Sequence, residues 1–145
     1  MDGNRQRDPE TETARSVAAI VERARAAQRA IEGWTQEDAD RAVTGAGWAI
    51  VPPAPNCALA ETAVRGPGLG HVAAQVGKNR PKPHRLAHDL RGAKSVGVIA
   101  EHPELGLTEI ARPVGVVAAI TPSTNPGATP ANNIINALKG RNAII

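Results

Sequence analysis

The sequence predicts an α/β fold in which several N-terminal helices precede an incomplete, mainly parallel sheet. The apolar run over 114–120 is typical of a buried strand, and the polar turn Thr-Pro-Ser-Thr-Asn-Pro-Gly and then a helix follow it. This layout is the first half of a nucleotide-binding βαβ unit. A second strand begins at Asn142, and we expect it to lie beside the first as a parallel neighbour. Because the chain stops within that strand, we expect it to be a piece of a larger protein.

The composition favours close packing of helices on strands over a large aromatic core. Aromatic residues make up 1% of the 145 residues, with no Phe or Tyr, and Ala and small β-branched residues dominate. Each of these side chains buries less area than Leu or Phe, so we expect an isolated fragment to be poorly stable.

Charge and cysteine content narrow the class of protein. With 17 Lys and Arg against 14 Asp and Glu, the net charge is +3, and the basic residues are spread over most of the chain, so charge alone does not imply nucleic-acid binding. The single cysteine, Cys57, excludes an internal disulfide and fits a reducing compartment. The apolar pattern shows neither a signal peptide nor a membrane-spanning run, and we expect a cytoplasmic protein.

The N-terminal segment is predicted to be a disordered lead followed by a helix. Residues 1–13 are polar, charged and contain proline, and such a segment buries too little apolar area to order itself. From Ala14 onwards, apolar residues lie on one face of a helix that is predicted to end near Gly33. The residues of that face are Val17, Ile20, Val21, Ala24, Ala27 and Ile31.

A second helix is predicted over 36–50. Thr35 followed three residues later by Asp38 is a helix-start pattern, since the hydroxyl accepts a backbone N–H and the carboxylate is favoured at the positive end of a helix. The proline-rich segment 52–55 is expected to end this helix, and a third, short helix is predicted over 56–65.

The remaining predicted elements bring the chain to the βαβ unit. They are a helix over 72–79, strands over 96–99 and 107–112, the strand over 114–120, a helix over 129–139 and the strand from Asn142. Pro81 and Pro83 are expected to interrupt the helical pattern after residue 79. Gly140 is predicted to cap the helix over 129–139 at its C-terminal end.

Three stretches of the second half resemble a known family. They are Ile-Ala-Arg-Pro-Val-Gly-Val over 110–116, Thr-Pro-Ser-Thr-Asn-Pro over 121–126, and Leu-Lys-Gly-Arg-Asn-Ala-Ile-Ile over 138–145. Together with the preceding helices and strands, they resemble the N-terminal part of the aldehyde dehydrogenase superfamily, and within it the CoA-acylating branch of the acetaldehyde or sulfoacetaldehyde dehydrogenase type. The resemblance implies that residues 14–145 are the truncated N-terminal portion of a Rossmann-like cofactor-binding domain.

The same resemblance implies where a cofactor binds. In this family the loop after the strand lines the cleft for a nicotinamide cofactor, NAD or NADP, and the corresponding residues are Ile120, Thr121, Pro122, Ser123, Thr124 and Asn125. Ligands of open α/β sheets bind at this kind of position, at the carboxyl ends of strands and near a helix N-terminus. The non-acylating branch has Pro-Trp-Asn-Phe-Pro here and holds the oxyanion with its Asn. Aligning the prolines puts Thr124 in that place, so the oxyanion role is not transferred.

An alternative interpretation of this loop is purely structural. Its Ser, Thr and Asn side chains would then only cap the helix that follows.

The implied chemistry is thiol catalysis. A cysteine thiolate attacks the aldehyde, NAD takes the hydride, and CoA removes the acyl group from the enzyme thioester. Cys57 lies in a predicted N-terminal helix and is interpreted as a small packing residue, while the nucleophile of the family belongs to a later domain. We therefore assign no catalytic residue and expect the chain to be inactive alone. By resemblance, the partners of the full-length enzyme are an aldehyde, CoA and further copies of itself.

Other functions stay open at this point. Segment 78–94 holds six Lys or Arg against one Asp, which suits a module that binds nucleic acid or another polyanion. Binders of single strands usually interleave aromatic residues, and this segment has none, so a solvated face is favoured. A further alternative is a fragment that docks on a full-length homologue. His84 and His88 are four residues apart but have no further ligands, and no metal site is predicted.

Overall fold

The structure is a computed structural model, and it describes residues 9–66 and 68–145. Within these ranges the chain forms the helices α1 (Pro9–Ile31), α2 (Gln36–Trp48), α3 (Pro53–Arg65), α4 (Val72–Asn79), α5 (Pro81–Asp89) and α6 (Ala128–Lys139). The strands are β1 (Gly97–His102), β2 (Leu107–Ala111), β3 (Val116–Val117) and β4 (Ala143–Ile144). No helix in the described ranges is long and apolar enough to cross a membrane.

The first helix begins earlier than predicted. α1 starts at Pro9, so residues 9–13 of the predicted disordered lead are helical, while residues 1–8 lie outside the described residues. Proline is compatible with the first position of a helix, because the N–H of that position has no intrahelical acceptor. The predicted apolar face is only partly covered, since Ala24 is buried whereas Val17 is 53% exposed.

The predicted start of α2 is confirmed. The Thr35 hydroxyl accepts the Asp38 N–H at 3.2 Å, and the Thr35 N–H donates to Asp38 Oδ2 at 3.0 Å, which makes a reciprocal capping box. Hydrogen bonds from Thr35, its backbone N–H first and its hydroxyl second, lower the pKa of the Asp38 carboxyl below its ordinary value. The helix ends at Trp48, slightly before the predicted end.

Both proline-rich segments begin helices. α2 ends before the first of them, as predicted, but the predicted start of the third helix and the predicted interruption after residue 79 are wrong. α3 starts at Pro53 and not at residue 56, and α5 occupies Pro81–Asp89, where the sequence predicts an interruption. In each case prolines stand in the first turn, where a missing N–H breaks no helical hydrogen bond and the fixed φ suits a helix. Proline therefore specifies the start of a helix at these two positions.

The four strands form two separate pairs and not one mainly parallel sheet. β1 and β2 are antiparallel, with Val98 opposite Ile110 and an irregularity in register just after Val98. β3 and β4 are parallel neighbours, with Val116 opposite Ala143. The predicted side-by-side arrangement of the two strands is therefore confirmed, and β3, α6 and β4 make the expected βαβ unit.

The buried core lies mainly between helices. α6 packs against α2 and α5, and α3 packs against α4. Ile135 of α6 is fully buried, and the other buried apolar residues of the core are mostly alanines: Ala24, Ala39, Ala60, Ala63, Ala128, Ala131, Ala137 and Ala143. Small side chains let neighbouring helices approach closely, and helices packed around short strands agree with the predicted α/β class.

Candidate functional site

The loop between β3 and α6 leaves the sheet at the carboxyl ends of two parallel strands. Pairing continues beyond the regular ladder, because the Ile145 N–H donates to the Val117 carbonyl at 2.9 Å and the Ala119 N–H donates to the Ile145 carbonyl at 2.8 Å. Residues 120–127 then cross to the N-terminus of α6. This is the edge of a sheet at which ligands of α/β proteins bind.

The loop itself is open to solvent. Ile120 is 94% exposed and residues 121–124 are exposed as well, whereas Asn125 is half-buried. The Asn125 N–H donates to the Pro122 carbonyl at 3.3 Å and closes a turn, and the Asn125 carbonyl accepts the Thr129 N–H at 3.2 Å. The backbone of Asn125 thus joins the loop to α6. Four of the six predicted cofactor residues, 122–125, form this turn, and Ile120 and Thr121 lie just before it.

The capping interpretation of the loop finds no support in this geometry. The N-cap of α6 is Gly127, and no side chain makes a capping hydrogen bond there in the described part of the chain. A helix N-terminus carries the positive end of the helix dipole, which favours an anionic or electron-rich group.

Asn79, the last residue of α4, packs against the start of α6. Its side chain is fully buried, and neither Oδ1 nor Nδ2 has a hydrogen-bond partner among the described residues. A Cβ built on Gly127 would stand 2.7 Å from Asn79 Oδ1 and 3.0 Å from Nδ2, so only glycine fits there without a shift. Gly127 therefore lies between a buried amide without a partner among the described residues and the exposed loop.

Side-chain amides fix the strand pair from which this loop extends. Gln28 of α1 donates from Nε2 to the Arg141 carbonyl at 2.9 Å and accepts the Ala143 N–H on Oε1 at 2.7 Å, so it pairs with β4 as a neighbouring strand would. Asn142 Oδ1 accepts the N–H groups of residues 114 and 115 at 2.7 and 3.0 Å, just before β3. Sequence reasoning missed both amides, because their partners lie far away along the chain.

The C-terminal end of α6 is fixed as well. Lys139 is 5% exposed, and its Nζ contacts Asp40 Oδ1 of α2 at 2.5 Å. The Ser95 hydroxyl donates to the Lys139 carbonyl at 2.6 Å, and the Ser95 N–H donates to Gln36 Oε1 at 2.7 Å. This polar network ties α6 to α2 and to the segment before β1.

The packing role predicted for Cys57 is wrong. The thiol is exposed on α3, and its Sγ lies 3.7 Å from Glu61 Oε1 on the same helix. α3 packs chiefly against α4, so the thiol does not belong to the loop site. His84 and His88 are exposed on α5, and no group of three potential metal ligands occurs among the described residues.

The basic segment 78–94 presents its charges to solvent. All of its Lys and Arg side chains are exposed, which agrees with the solvated face favoured above. A groove of about 220 Å³ between α2 and α5 lies beside this segment, lined by Val43, Gly47, Trp48, Pro83, His84, Ala87, His88 and Arg91. The fold thus brings the ring of Trp48 next to a basic segment that has no aromatic residue of its own.

Comparisons with curated proteins and with solved structures agree on one family. The chain is 56% identical over 137 residues to the acylating sulfoacetaldehyde dehydrogenase of Cupriavidus necator, which covers 94% of this chain and 28% of that protein. It is 38% identical over 130 residues to the acetylating succinate-semialdehyde dehydrogenase of Clostridium kluyveri, covering 90% of this chain and 28% of the relative. A crystal structure of an acetylating aldehyde dehydrogenase from Geobacillus thermoglucosidasius matches with a TM-score of 0.87 and 36% identity, over 95% of this chain and 30% of that one. No family model matches the chain.

These likenesses, together with the βαβ unit and its loop, show that the chain belongs to the aldehyde dehydrogenase superfamily. Within the superfamily its relatives are acylating enzymes, so the resemblance read from the sequence is confirmed at the level of the CoA-acylating branch. The chain spans about 28% of the length of these curated relatives, which is consistent with the predicted N-terminal fragment.

Proposed function

We propose that the chain forms part of the cofactor cleft of an acylating aldehyde dehydrogenase, an enzyme that oxidises an aldehyde to an acyl-CoA with NAD or NADP. In this proposal residues 120–125 lie along the bound cofactor. The observation that carries it is the position of this loop. It leaves β3 beside a parallel neighbour and enters α6, in a chain that is 56% identical to part of an acylating sulfoacetaldehyde dehydrogenase.

The loop offers several kinds of contact to a nicotinamide cofactor. Ile120, with 94% of its surface exposed, presents an apolar side chain of the kind that packs on a planar ring. The exposed hydroxyls of Thr121, Ser123 and Thr124 can donate or accept hydrogen bonds. A bound cofactor would supply the hydride acceptor, and the task of these residues is to bind and orient it.

Cys57 is not the catalytic nucleophile in this proposal. It is the single cysteine of the sequence, and it lies on α3, whose main neighbour is α4. We assign the thiol that attacks the aldehyde, and the residues that bind CoA, to sequence outside this chain. The chain is then inactive alone. By the same resemblance the full-length enzyme is a homo-oligomer, and the single cysteine favours a reducing compartment, the cytoplasm.

Titration of the ¹⁵N-labelled chain with NAD tests the cleft. We expect amide shifts at residues 120–129 and none in the hairpin over 97–111. Ile120→Asp is expected to weaken NAD binding about tenfold, or about 1.4 kcal/mol, because it removes an apolar contact and places a carboxylate beside an anionic cofactor. The matched control is Ile110→Asp, which changes an isoleucine that is 54% exposed on β2 and leaves the affinity unchanged.

A different distribution of shifts would contradict the proposal. Shifts confined to segment 78–94 would favour a polyanion-binding surface, and the absence of any shift would remove the cofactor role from this chain.

Activity requires a complete enzyme, and a chimaera supplies it. In the Cupriavidus necator relative, the homologous segment is replaced by residues of this chain, and NADH formation is followed with sulfoacetaldehyde, NAD and CoA. We expect the chimaera to be active, Ile120→Asp to raise its KM for NAD, and Cys57→Ser to leave its rate unchanged. Loss of activity with Cys57→Ser would mean that the thiol assignment is wrong.

A further inference from the structure

One buried side chain beside the loop has polar atoms that the rest of the structure does not use. Asn79 is 0% exposed, and both polar atoms of its amide lack a hydrogen-bond partner among the described residues. Folded proteins pair the large majority of their buried polar atoms, so both atoms of this amide can still take up a partner from a neighbouring group.

The Asn79 amide lies beside the start of α6. Gly127 is the N-cap of α6, and a Cβ on it would approach Asn79 Oδ1 to 2.7 Å, Nδ2 to 3.0 Å and Cγ to 3.1 Å. The whole amide therefore lies against the backbone at the start of α6. Pro126 has no N–H and could only accept a hydrogen bond through its carbonyl, whereas Gly127 and Ala128 each have an N–H and a carbonyl.

We propose that Asn79 is a positioning residue for the cofactor loop, and that its amide bonds to the backbone of residues 126–128 when a nicotinamide cofactor fills the cleft. The inference rests on the proposed function, because it assumes that residues 120–125 contact the cofactor. Asn125 links the two regions, since its carbonyl accepts the Thr129 N–H at 3.2 Å within the first turn of α6. A small shift of the loop on cofactor binding would therefore also shift the start of α6, which lies beside Asn79.

The arrangement couples cofactor binding to order in the loop. An Asn79 amide that is buried and unpaired disfavours the arrangement that lacks the bonds. With cofactor, the same amide gains backbone partners, so the bound arrangement is favoured by more than the direct cofactor contacts. Removing the amide weakens cofactor binding without removing any group that touches the cofactor.

Hydrogen exchange of the labelled chain, measured with and without NAD, tests this coupling. In the unaltered chain, NAD is expected to slow exchange of the Gly127 and Ala128 amides about tenfold, in step with the new hydrogen bonds. In Asn79→Ala this slowing is lost and the dissociation constant for NAD rises about tenfold. Asn56→Ala is the matched control, because Asn56 is 2% exposed, sits on α3 and also has an unpaired Oδ1. It lowers the melting temperature but leaves the affinity and the protection by NAD unchanged.

A double variant checks the contact itself. Gly127→Ala alone places a Cβ against the Asn79 amide and is expected to weaken NAD binding strongly. In the Asn79→Ala background the clash is gone, so the same substitution costs less affinity, and the two effects are not additive.

The outcomes separate this inference from the proposed function. NAD-induced shifts at residues 120–125, together with unchanged protection and affinity in Asn79→Ala, would overturn the role of Asn79 and leave the cleft in place. If NAD causes no shifts in the unaltered chain, both the cleft and the role of Asn79 are wrong.

Discussion

The two strand pairs of this molecule differ in length and in burial. The β1–β2 hairpin pairs residues 97–102 with 107–111, yet Val98 and Ile110, which face each other across it, are 47% and 54% exposed. The β3–β4 pair has only two residues in each regular strand, but its Ala143 is buried. The shorter pair is therefore the better packed of the two.

The two pairs also differ in what holds them. The hairpin packs mainly on itself, with a surface contact of 2.9 Å between His102 Nε2 and Glu109 Oε1. Amide side chains from other parts of the chain, Gln28 and Asn142, bond to the backbone around the parallel pair. The surroundings of a strand, more than its length, therefore decide how firmly it is held, and the proposed cofactor loop extends from the more firmly held pair.

Truncation of a core isoleucine gives the largest expected effect. Ile135 on α6 is fully buried, and Ile135→Ala should lower the free energy of unfolding by about 3 kcal/mol through lost burial and a cavity. Ile110→Ala in the hairpin is the matched substitution at an exposed site and should cost about 0.5 kcal/mol or less. Urea unfolding followed by circular dichroism measures both. Equal losses would mean that the hairpin contributes as much to stability as the region around the parallel pair.

The second effect comes from a single amide. Gln28→Ala leaves the Arg141 carbonyl and the Ala143 N–H without their partner, and we expect a loss of about 2 kcal/mol. Arg29→Ala removes a neighbouring exposed side chain of the same helix and should change stability by about 0.5 kcal/mol at most. Hydrogen exchange of the Ala143 amide should also become faster in Gln28→Ala only. If the two variants unfold alike, the strand pair is held by its backbone alone.

The sequence allowed prediction of the features that depend on local patterns. The capping box of Thr35 and Asp38 and the Gly140 end of α6 each arise from residues close together in the chain, and the structure contains both. The strand predicted over 114–120 is present as well, but its regular part is limited to Val116–Val117. The parallel pairing of β3 and β4 could be predicted as well, because two strands joined by a single helix usually lie parallel in one sheet.

The features that were missed depend on contacts between distant residues. Gln28 and Ala143 are 115 positions apart, and nothing in the spacing of either indicates that they meet. The buried amide of Asn79 and its contact with Gly127 arise only when α4 packs near α6. The helix starts at Pro53 and Pro81 were missed for a different reason. Proline interrupts the interior of a helix but is well suited to its first turn, so its presence alone does not distinguish the end of a helix from the start of one.

The smallest expected effect concerns pH and the start of α2, the helix whose Asp40 holds the buried Lys139 of α6. The pKa of Asp38 is lowered in the folded chain, first by the Thr35 backbone N–H, so the folded state binds this proton less readily than the unfolded state. The stabilisation that the ionised Asp38 carboxyl contributes is therefore fully present above its unfolded-state pKa of about 3.8. It is lost as the pH falls through the lower pKa of the folded state. Asp38→Asn should flatten the fall of the urea midpoint below pH 4, whereas Glu37→Gln, outside the capping box, should leave that fall unchanged. A carboxyl ¹³C titration that gave Asp38 an ordinary pKa would show that the cap does not act through its charge.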